Sequence, residues 1–256
     1  KGIAFALQCF TNPGDKVLIQ SPVYHPFRLV PEKMKRTVVY NPLKLTEGVY
    51  QMDFEQLESV IEGCKVLILC NPHNPAGIVW NKETLSKLAD ICARHGVLVI
   101  SDEIHAELTY PQYPHLPFAK ASETAANISI TFMAPSKTFN IAGWRVGMVI
   151  GKESLINSIL KVKSNMDSGM NFAIQKAATK ALLVDDSWYD ELTKVYAERR
   201  KIIWEIADLL NVKYNPNAAG MFIWAKLPEG KDDKEFIDEI LGTNAIRTSQ
   251  EIVILT

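Results

Sequence analysis

The sequence predicts an α/β protein: a three-layer α/β/α large domain around a mostly parallel sheet, followed by part of a smaller α+β domain. Up to about residue 150, short apolar runs rich in β-branched residues alternate with helical patterns. Turn-forming Asn, Pro and Gly residues stand between these runs. Apolar strands that alternate with helices are typical of a parallel sheet covered on both faces. After residue 150 the alternation stops and long helical stretches follow.

The strands of the predicted sheet are identified by their continuous apolar character. They comprise residues 16–20, 37–40, 65–70, 97–101, 128–132 and 146–150. The clearest helix between them covers residues 82–95, where the apolar side chains on one face are Leu85, Leu88, Ala89 and Cys92.

The second part of the chain has a different pattern of elements. Helical patterns cover residues 152–166, 172–183 and 187–210, and they precede an alternating strand at 220–228 and a helix at 233–241. The helix at 187–210 is long enough to join two domains. We therefore predict a large, ligand-binding domain over residues 1–195 and a partial small domain over residues 196–256.

Both ends of the sequence fall inside predicted elements. Lys1 opens a helical pattern without a methionine, and residues 252–256 form a strand-like run without a predicted partner strand. We therefore expect both ends to be cut.

The bulk composition excludes several classes of protein. Charged residues make up 22% of the chain and the formal net charge is −1, so we expect neither a nucleic acid nor a membrane as partner. The sequence contains no apolar run of about 18 residues and no signal peptide. The four cysteines lie in apolar runs without metal-ligand spacing, which predicts buried thiols, no metal site and a cytoplasmic location.

Polar side chains follow the predicted strands at the points where those strands end. Tyr24, Asn74 and Asp102 each follow a strand, and Ser136 and Lys137 follow the strand at 128–132. Ligands of open α/β sheets bind beyond the carboxyl ends of the strands. Each residue alone is weak support for a site, but the ordered set predicts one.

The chemistry of pyridoxal 5′-phosphate (PLP) requires this set of side chains. A lysine must bind the cofactor and move a proton, and a carboxylate must pair with the pyridinium nitrogen. Donors must reach the phenolic oxygen, an aromatic ring must stack on the cofactor, and cations must hold the phosphate.

Four segments carry a resemblance to a known family. They are Ser-Pro-Val-Tyr at 21–24, Asn-Pro-His-Asn-Pro-Ala-Gly at 71–77, Ser-Asp-Glu-Ile-His at 101–105, and Ser-Lys-Thr-Phe-Asn-Ile-Ala-Gly-Trp-Arg-Val-Gly at 136–147. In this order they resemble the motifs of fold-type I PLP enzymes, and more closely those of the class I/II aminotransferase superfamily. The resemblance covers essentially the whole chain.

The resemblance implies roles for the residues that match these motifs. Lys137 matches the lysine that holds PLP as a Schiff base, and Asp102 matches the partner of the pyridinium nitrogen. Asn74 matches the asparagine that binds the phenolic oxygen, and Tyr24 matches the aromatic residue that stacks on the ring. The family also implies a homodimer.

The resemblance assigns the phosphate to Arg145, with Ser136 as a second candidate. The family's glycine-containing phosphate loop would precede Lys1, and its substrate-carboxylate arginine would follow Thr256. His105 stands where many aminotransferases have tyrosine, and it is a further candidate cofactor contact. A packed or solvated imidazole is the alternative for His105.

The resemblance to subfamilies is divided. The N-terminal half, including residues 101–105 and 134–143, resembles the MalY/PatB type of C–S β-lyase, which cleaves cystathionine or cysteine conjugates. The C-terminal half, including residues 164–170 and 220–226, resembles aminotransferases of the diaminopimelate type. The change falls near Gly143, and a hybrid gene and an assembly artefact both stay open as explanations.

Three functions follow from the resemblance. The first is a C–S β-lyase that converts an amino-acid substrate into a thiol, pyruvate and ammonia. The second is an aminotransferase that passes the amino group to a 2-oxo acid. The third is a regulatory or partner-binding module with the PLP-enzyme fold, which the complete set of Lys137, Asp102 and Asn74 disfavours as the main role.

Overall fold

A six-stranded sheet forms the centre of the molecule. The computed structural model describes residues 1–242 and 253–254. The strand order is β2-β1-β5-β6-β7-β8, and β8 alone runs antiparallel to its neighbour. These strands are β1 Lys16–Ile19, β2 Thr37–Tyr40, β5 Cys64–Cys70, β6 Leu98–Asp102, β7 Ser129–Met133 and β8 Met148–Gly151. The predicted α/β class with a mostly parallel sheet is confirmed.

Helices cover both faces of this sheet and enclose two apolar cores. One core joins the sheet to α3 Phe54–Val60, α4 Lys82–Arg94 and α5 Glu123–Asn127. The other joins the opposite face to α1 Gly2–Phe10, α2 Pro26–Lys33 and α6 Glu153–Ser164. Strand residues such as Val66 and Leu67 are fully buried in opposite cores, which explains why their sequence is continuously apolar.

The later elements begin with α7 Phe172–Ala181 and α8 Asp186–Leu209. The 24-residue α8 runs through the predicted boundary at residue 195 without a break, and the domain division stays a prediction. Beyond α8, a third small core packs α8 and α9 Asp233–Gly242 on a sheet of order β11-β10-β9. Its strands are β9 Lys213–Tyr214, β10 Trp224–Lys226 and β11 Val253–Ile254.

Two expectations for the C-terminal part were wrong in detail. The strand expected at 220–228 is limited to Trp224–Lys226, because the preceding residues turn toward the large sheet. The run at 252–256 was expected to have no partner strand, but Val253 and Ile254 pair in parallel with β10. The other residues of that run lie outside the described residues.

A hairpin not predicted from the sequence, β3 Lys44–Thr46 and β4 Val49–Gln51, lies outside the main sheet. It reaches the C-terminal part through Tyr50, whose hydroxyl accepts a hydrogen bond from Trp224 Nε1 at 3.1 Å. All four cysteines are free thiols. Among the described helices, none is both long and apolar enough to cross a bilayer.

Candidate active site

The carboxyl ends of adjacent parallel strands bring the predicted site residues to one edge of the sheet. Asp102 is the last residue of β6, Asn74 follows β5, and Lys137 follows β7. Tyr24 follows β1, which is the next strand beyond β5. This edge is the place where ligands bind in open α/β sheets.

Asp102 presents a carboxylate in a mostly buried position. Its Oδ1 accepts a hydrogen bond from the Ile104 amide at 3.2 Å, and within residues 1–242 and 253–254 it forms no ion pair. Burial raises the pKa of Asp102 to about 6, and the negative charge of Glu103 contributes in the same direction. A buried carboxylate without a cation suits a ligand that carries a positive charge.

Lys137 and Asn74 also have free functional groups. Both side chains are partly buried. In the part of the chain that the structure describes, neither the Lys137 amine nor the Asn74 side-chain amide forms a hydrogen bond or an ion pair, whereas the Asn74 backbone amide donates to Cys70 Sγ at 3.2 Å. An amine, a side-chain amide and a carboxylate without a cation partner among the described residues therefore lie at this edge, and the set fits the functional groups of PLP.

His105 lies beside Lys137 and is buried, with 6% of its surface exposed. Burial, and secondly the positive charge of Lys137, lower the pKa of His105 to about 4. Its ring packs edge-to-face on Phe222 at 5.5 Å between ring centroids, and its Nδ1 has no hydrogen-bond partner within the described residues. His105 is therefore neutral near pH 7, and it connects the large sheet to the segment that precedes β10.

The segment that carries Lys137 is fixed by residues that the sequence did not indicate. The Thr138 hydroxyl donates a hydrogen bond to Glu107 Oε2 at 2.5 Å, and the Thr138 carbonyl accepts one from Trp188 Nε1 at 3.2 Å. The Trp188 ring stacks on Phe139 at 5.6 Å. Lys137 opens into a cleft of about 460 Å³ between this segment and α8. The partners are 31 and 50 residues away in sequence, so no local motif reveals them.

The candidate phosphate contacts lie near the N-terminus of α1. Arg145 is exposed and has a left-handed backbone (φ 56°), and its guanidinium donates to the Ala142 carbonyl at 2.7 Å. Its positive charge acts on the backbone nitrogen of Lys1, the N-cap residue of α1. A cation beside a helix N-terminus is suited to an anion. Ser136 is buried, with 7% of its surface exposed.

Tyr24 is the most exposed of the predicted ring contacts, with 48% of its surface accessible. Its ring packs edge-to-face on Phe27, with 5.8 Å between the centroids. The strand ends place Tyr24 at the same edge as Asn74 and Asp102, and its stacking role stays a prediction.

The loop that carries Asn74 is held against the C-terminal part of the chain. Gly77 has φ +64°, and a Cβ atom built there would lie 2.4 Å from the Ala219 carbonyl oxygen. The Gly77 carbonyl accepts a hydrogen bond from the Ala219 amide at 2.6 Å. Only glycine permits this close approach of two backbones.

We expect Gly77→Ala to destabilise the protein more than its matched control, Gly96→Ala. Gly96 has a similar φ of +66°, but nothing lies within 4 Å of a Cβ built there. The control therefore measures the left-handed strain alone, about 1–2 kcal/mol, whereas the clash at Gly77 adds about 1–3 kcal/mol. Denaturant unfolding of both variants gives the difference, and equal losses of unfolding free energy would contradict the close approach.

Comparison with known proteins identifies the family. The sequence model of the family described as aminotransferase class I and II matches residues 1–255. The chain belongs to the class I and II aminotransferase family. The expected resemblance to fold-type I enzymes of this superfamily is thereby confirmed.

Two curated relatives represent the two subfamilies. The chain is 40% identical to cystathionine beta-lyase PatB of Bacillus subtilis over 233 residues, which are 90% of this chain and 56% of the relative. It is 31% identical to LL-diaminopimelate aminotransferase of Maridesulfovibrio salexigens over 247 residues, which are 96% of this chain and 63% of the relative. Only 23 of the 256 residues lie outside the match to the lyase. Gly143 is further than that from both ends of the chain, so the match extends across it.

A solved structure shares the fold. Cystalysin from Treponema denticola, whose crystal structure contains a pyridoxal 5′-phosphate cofactor, superposes with a TM-score of 0.86 at 32% identity. The superposition covers 94% of this chain and 62% of that one. The chain thus spans less than two thirds of the length of the relatives it matches.

Proposed function

We propose that this chain is the PLP-binding part of an enzyme that acts on α-amino acids. The observation that carries the proposal is the convergence of the Lys137 amine, the Asp102 carboxylate and the Asn74 amide. These groups lie at the carboxyl ends of three adjacent strands. Within the described residues the amine and the side-chain amide form no hydrogen bond, and the carboxylate accepts one from the Ile104 amide but forms no ion pair. Membership of the aminotransferase family and the PLP-containing relative support the same ligand.

Each of these residues has a distinct task toward the cofactor. Lys137 Nζ binds PLP covalently and, once the substrate has displaced it, is free to take the α-proton. Asp102 holds a proton on the pyridine nitrogen. Asn74 donates its amide hydrogen to the phenolic oxygen, and Tyr24 stacks on the ring. When bound, PLP withdraws electrons from the α-carbon of the amino acid.

The phosphate end of the site combines a charge with a helix terminus. Arg145 supplies the cation and Ser136 supplies a hydroxyl donor. The N-terminus of α1 adds backbone amides beside Arg145. These groups would hold the phosphate when PLP is bound.

We further propose that the reaction is a C–S β-lyase reaction. Lys137 removes the α-proton, the bond between the β-carbon and sulfur breaks, and the sulfur leaves as a thiol. With cystathionine and one water molecule as reactants, the products are homocysteine, pyruvate and ammonia. His105, which is neutral near pH 7, is one of the groups on which the charge of Lys137 acts.

Two observations favour the lyase over an aminotransferase. His105 replaces the tyrosine of many aminotransferases, and the charge of Lys137 acts on it. The identity to the cystathionine lyase is 40%, against 31% for the diaminopimelate aminotransferase. The aminotransferase is the second candidate, since its relatives cover 96% of this chain. In that reaction Lys137 returns the proton to the cofactor and a 2-oxo acid is released.

The two reactions are distinguished by their products. The full-length protein is incubated with PLP and cystathionine in one assay, and with an amino acid and a 2-oxo acid in another. We expect equal amounts of thiol and pyruvate in the first assay and little amino-group transfer in the second. Transfer without thiol release would support the aminotransferase. We also propose a cytoplasmic homodimer, which sedimentation of the purified protein tests.

A further inference from the structure

A second carboxylate, that of Glu103, lies next to Asp102 but outside the set of residues assigned to the cofactor. Its side chain is fully buried, with 0% of its surface exposed. Successive residues of a strand point to opposite faces of the sheet. Glu103 therefore occupies the face opposite Asp102, where it shares a side with Ser101.

Three donors hold the Glu103 carboxylate. Its Oε1 accepts hydrogen bonds from the Ser101 hydroxyl at 2.8 Å and the Phe118 amide at 3.0 Å. Its Oε2 lies 2.9 Å from His115 Nε2. Hydrogen bonds of this kind stabilise the charged form of a buried carboxylate.

His115 contacts Glu103 through one ring nitrogen, Nε2. The Nδ1 atom of His115 is buried and has no hydrogen-bond partner within the described residues. A doubly protonated ring would bury an unpaired N–H group there. In the tautomer that donates from Nε2, the ring bonds to Glu103 and leaves Nδ1 as an acceptor.

We propose that Glu103 is a positioning residue whose fixed negative charge holds the proton shared by Asp102 and the pyridine nitrogen of the cofactor. This inference rests on the proposed function, and it extends the site to the opposite face of β6. A negative charge near a proton-binding pair increases the proton affinity of that pair. Glu103 accordingly contributes to the raised pKa of Asp102.

Cys70 is a further titratable group near Asp102. The thiol of Cys70 faces Asp102 across the β5–β6 pair, and burial raises its pKa, so it is uncharged. Glu103 is thus the acidic residue that directly follows Asp102 at the end of β6.

The test separates the charge of Glu103 from its hydrogen bonds. Glu103→Gln removes the charge, while its amide oxygen can still accept from Ser101 and Phe118. Ser101→Ala, the matched control, removes one hydrogen bond and leaves the charge. The holoenzyme of each full-length protein is prepared with PLP labelled with ¹⁵N in the ring, and the nitrogen signal is followed by NMR against pH.

We expect Glu103→Gln to lose the ring proton about one pH unit lower than the parent, and Ser101→Ala to follow the parent curve. An unchanged curve in Glu103→Gln would overturn the proposal, including the case in which both proteins stay protonated throughout. An equal shift in both variants would also overturn it, since the effect would then be structural. If Glu103→Gln does not fold, Glu103→Met, which is similar in volume and uncharged, replaces it.

The same experiment distinguishes two kinds of failure. A parent protein that takes up no labelled PLP would contradict the proposed function. A parent that binds PLP and shows the same titration as Glu103→Gln would contradict only the role of Glu103.

Discussion

Lys137→Ala is expected to abolish both covalent PLP binding and all measurable turnover. The substitution removes the amine that binds the cofactor and accepts the α-proton, and no other group on the β7 strand end has that chemistry. The visible absorbance of the bound cofactor should disappear on dialysis of the variant, whereas the parent should retain it. Turnover of cystathionine is measured in parallel.

The control for this substitution is another lysine of the same chain. Lys152 is exposed and precedes α6, so Lys152→Ala should keep the absorbance and the activity of the parent. Thermal unfolding of both apo variants shows whether the fold is intact. Activity that persists in Lys137→Ala would contradict the assignment of Lys137 as the residue that binds PLP and takes the α-proton.

Asp102→Asn is expected to leave PLP binding measurable while turnover falls by about 10²–10⁴-fold. Asparagine has the same shape and can still accept the hydrogen bond from Ile104, but it has no charge to hold a proton on the pyridine nitrogen. Steady-state kinetics with saturating PLP measures the loss. Near-normal turnover would contradict the role of Asp102.

The same substitution should stabilise the apo protein at neutral pH. The folded-state pKa of Asp102 is raised from 3.8 to about 6, so its ionised form is disfavoured in the folded state. The corresponding stability is present below pH 4 and is lost as the pH rises to about 6, on the order of 3 kcal/mol in total. Asp102→Asn has no carboxyl group to ionise, so it does not undergo this loss. The unfolding free energy of the variant should therefore exceed that of the parent above pH 6, and the difference should vanish near pH 4. Opposite effects on turnover and stability are typical of a functional residue.

The main sheet was predictable because its strands are buried on both faces. Residues 64–70 are apolar almost throughout, since both faces of β5 contact helices. The boundaries of the observed strands differ from the prediction by one or two residues, as hydrogen-bonding criteria often produce. The hairpin of β3 and β4 was missed because its three-residue strands are mostly exposed and carry no apolar alternation.

The site was predictable only in part. The rule of strand ends placed Asn74, Asp102 and Lys137 at one edge from sequence alone. The supporting contacts depend on tertiary packing instead. Trp188 reaches the Thr138 carbonyl from α8, and His115 reaches Glu103 from a loop 12 residues further on. Such pairs have no fixed spacing, so only the folded structure brings them together.

The attachment of the cofactor is the central claim, and reduction with borohydride tests it most directly. The full-length protein is loaded with PLP, reduced, digested and mapped by mass spectrometry. The account predicts that the pyridoxyl group is found on the peptide that contains Lys137, and that Lys137→Ala gives no labelled peptide. A pyridoxyl group on Lys120, Lys152 or any other lysine of the parent protein would contradict it.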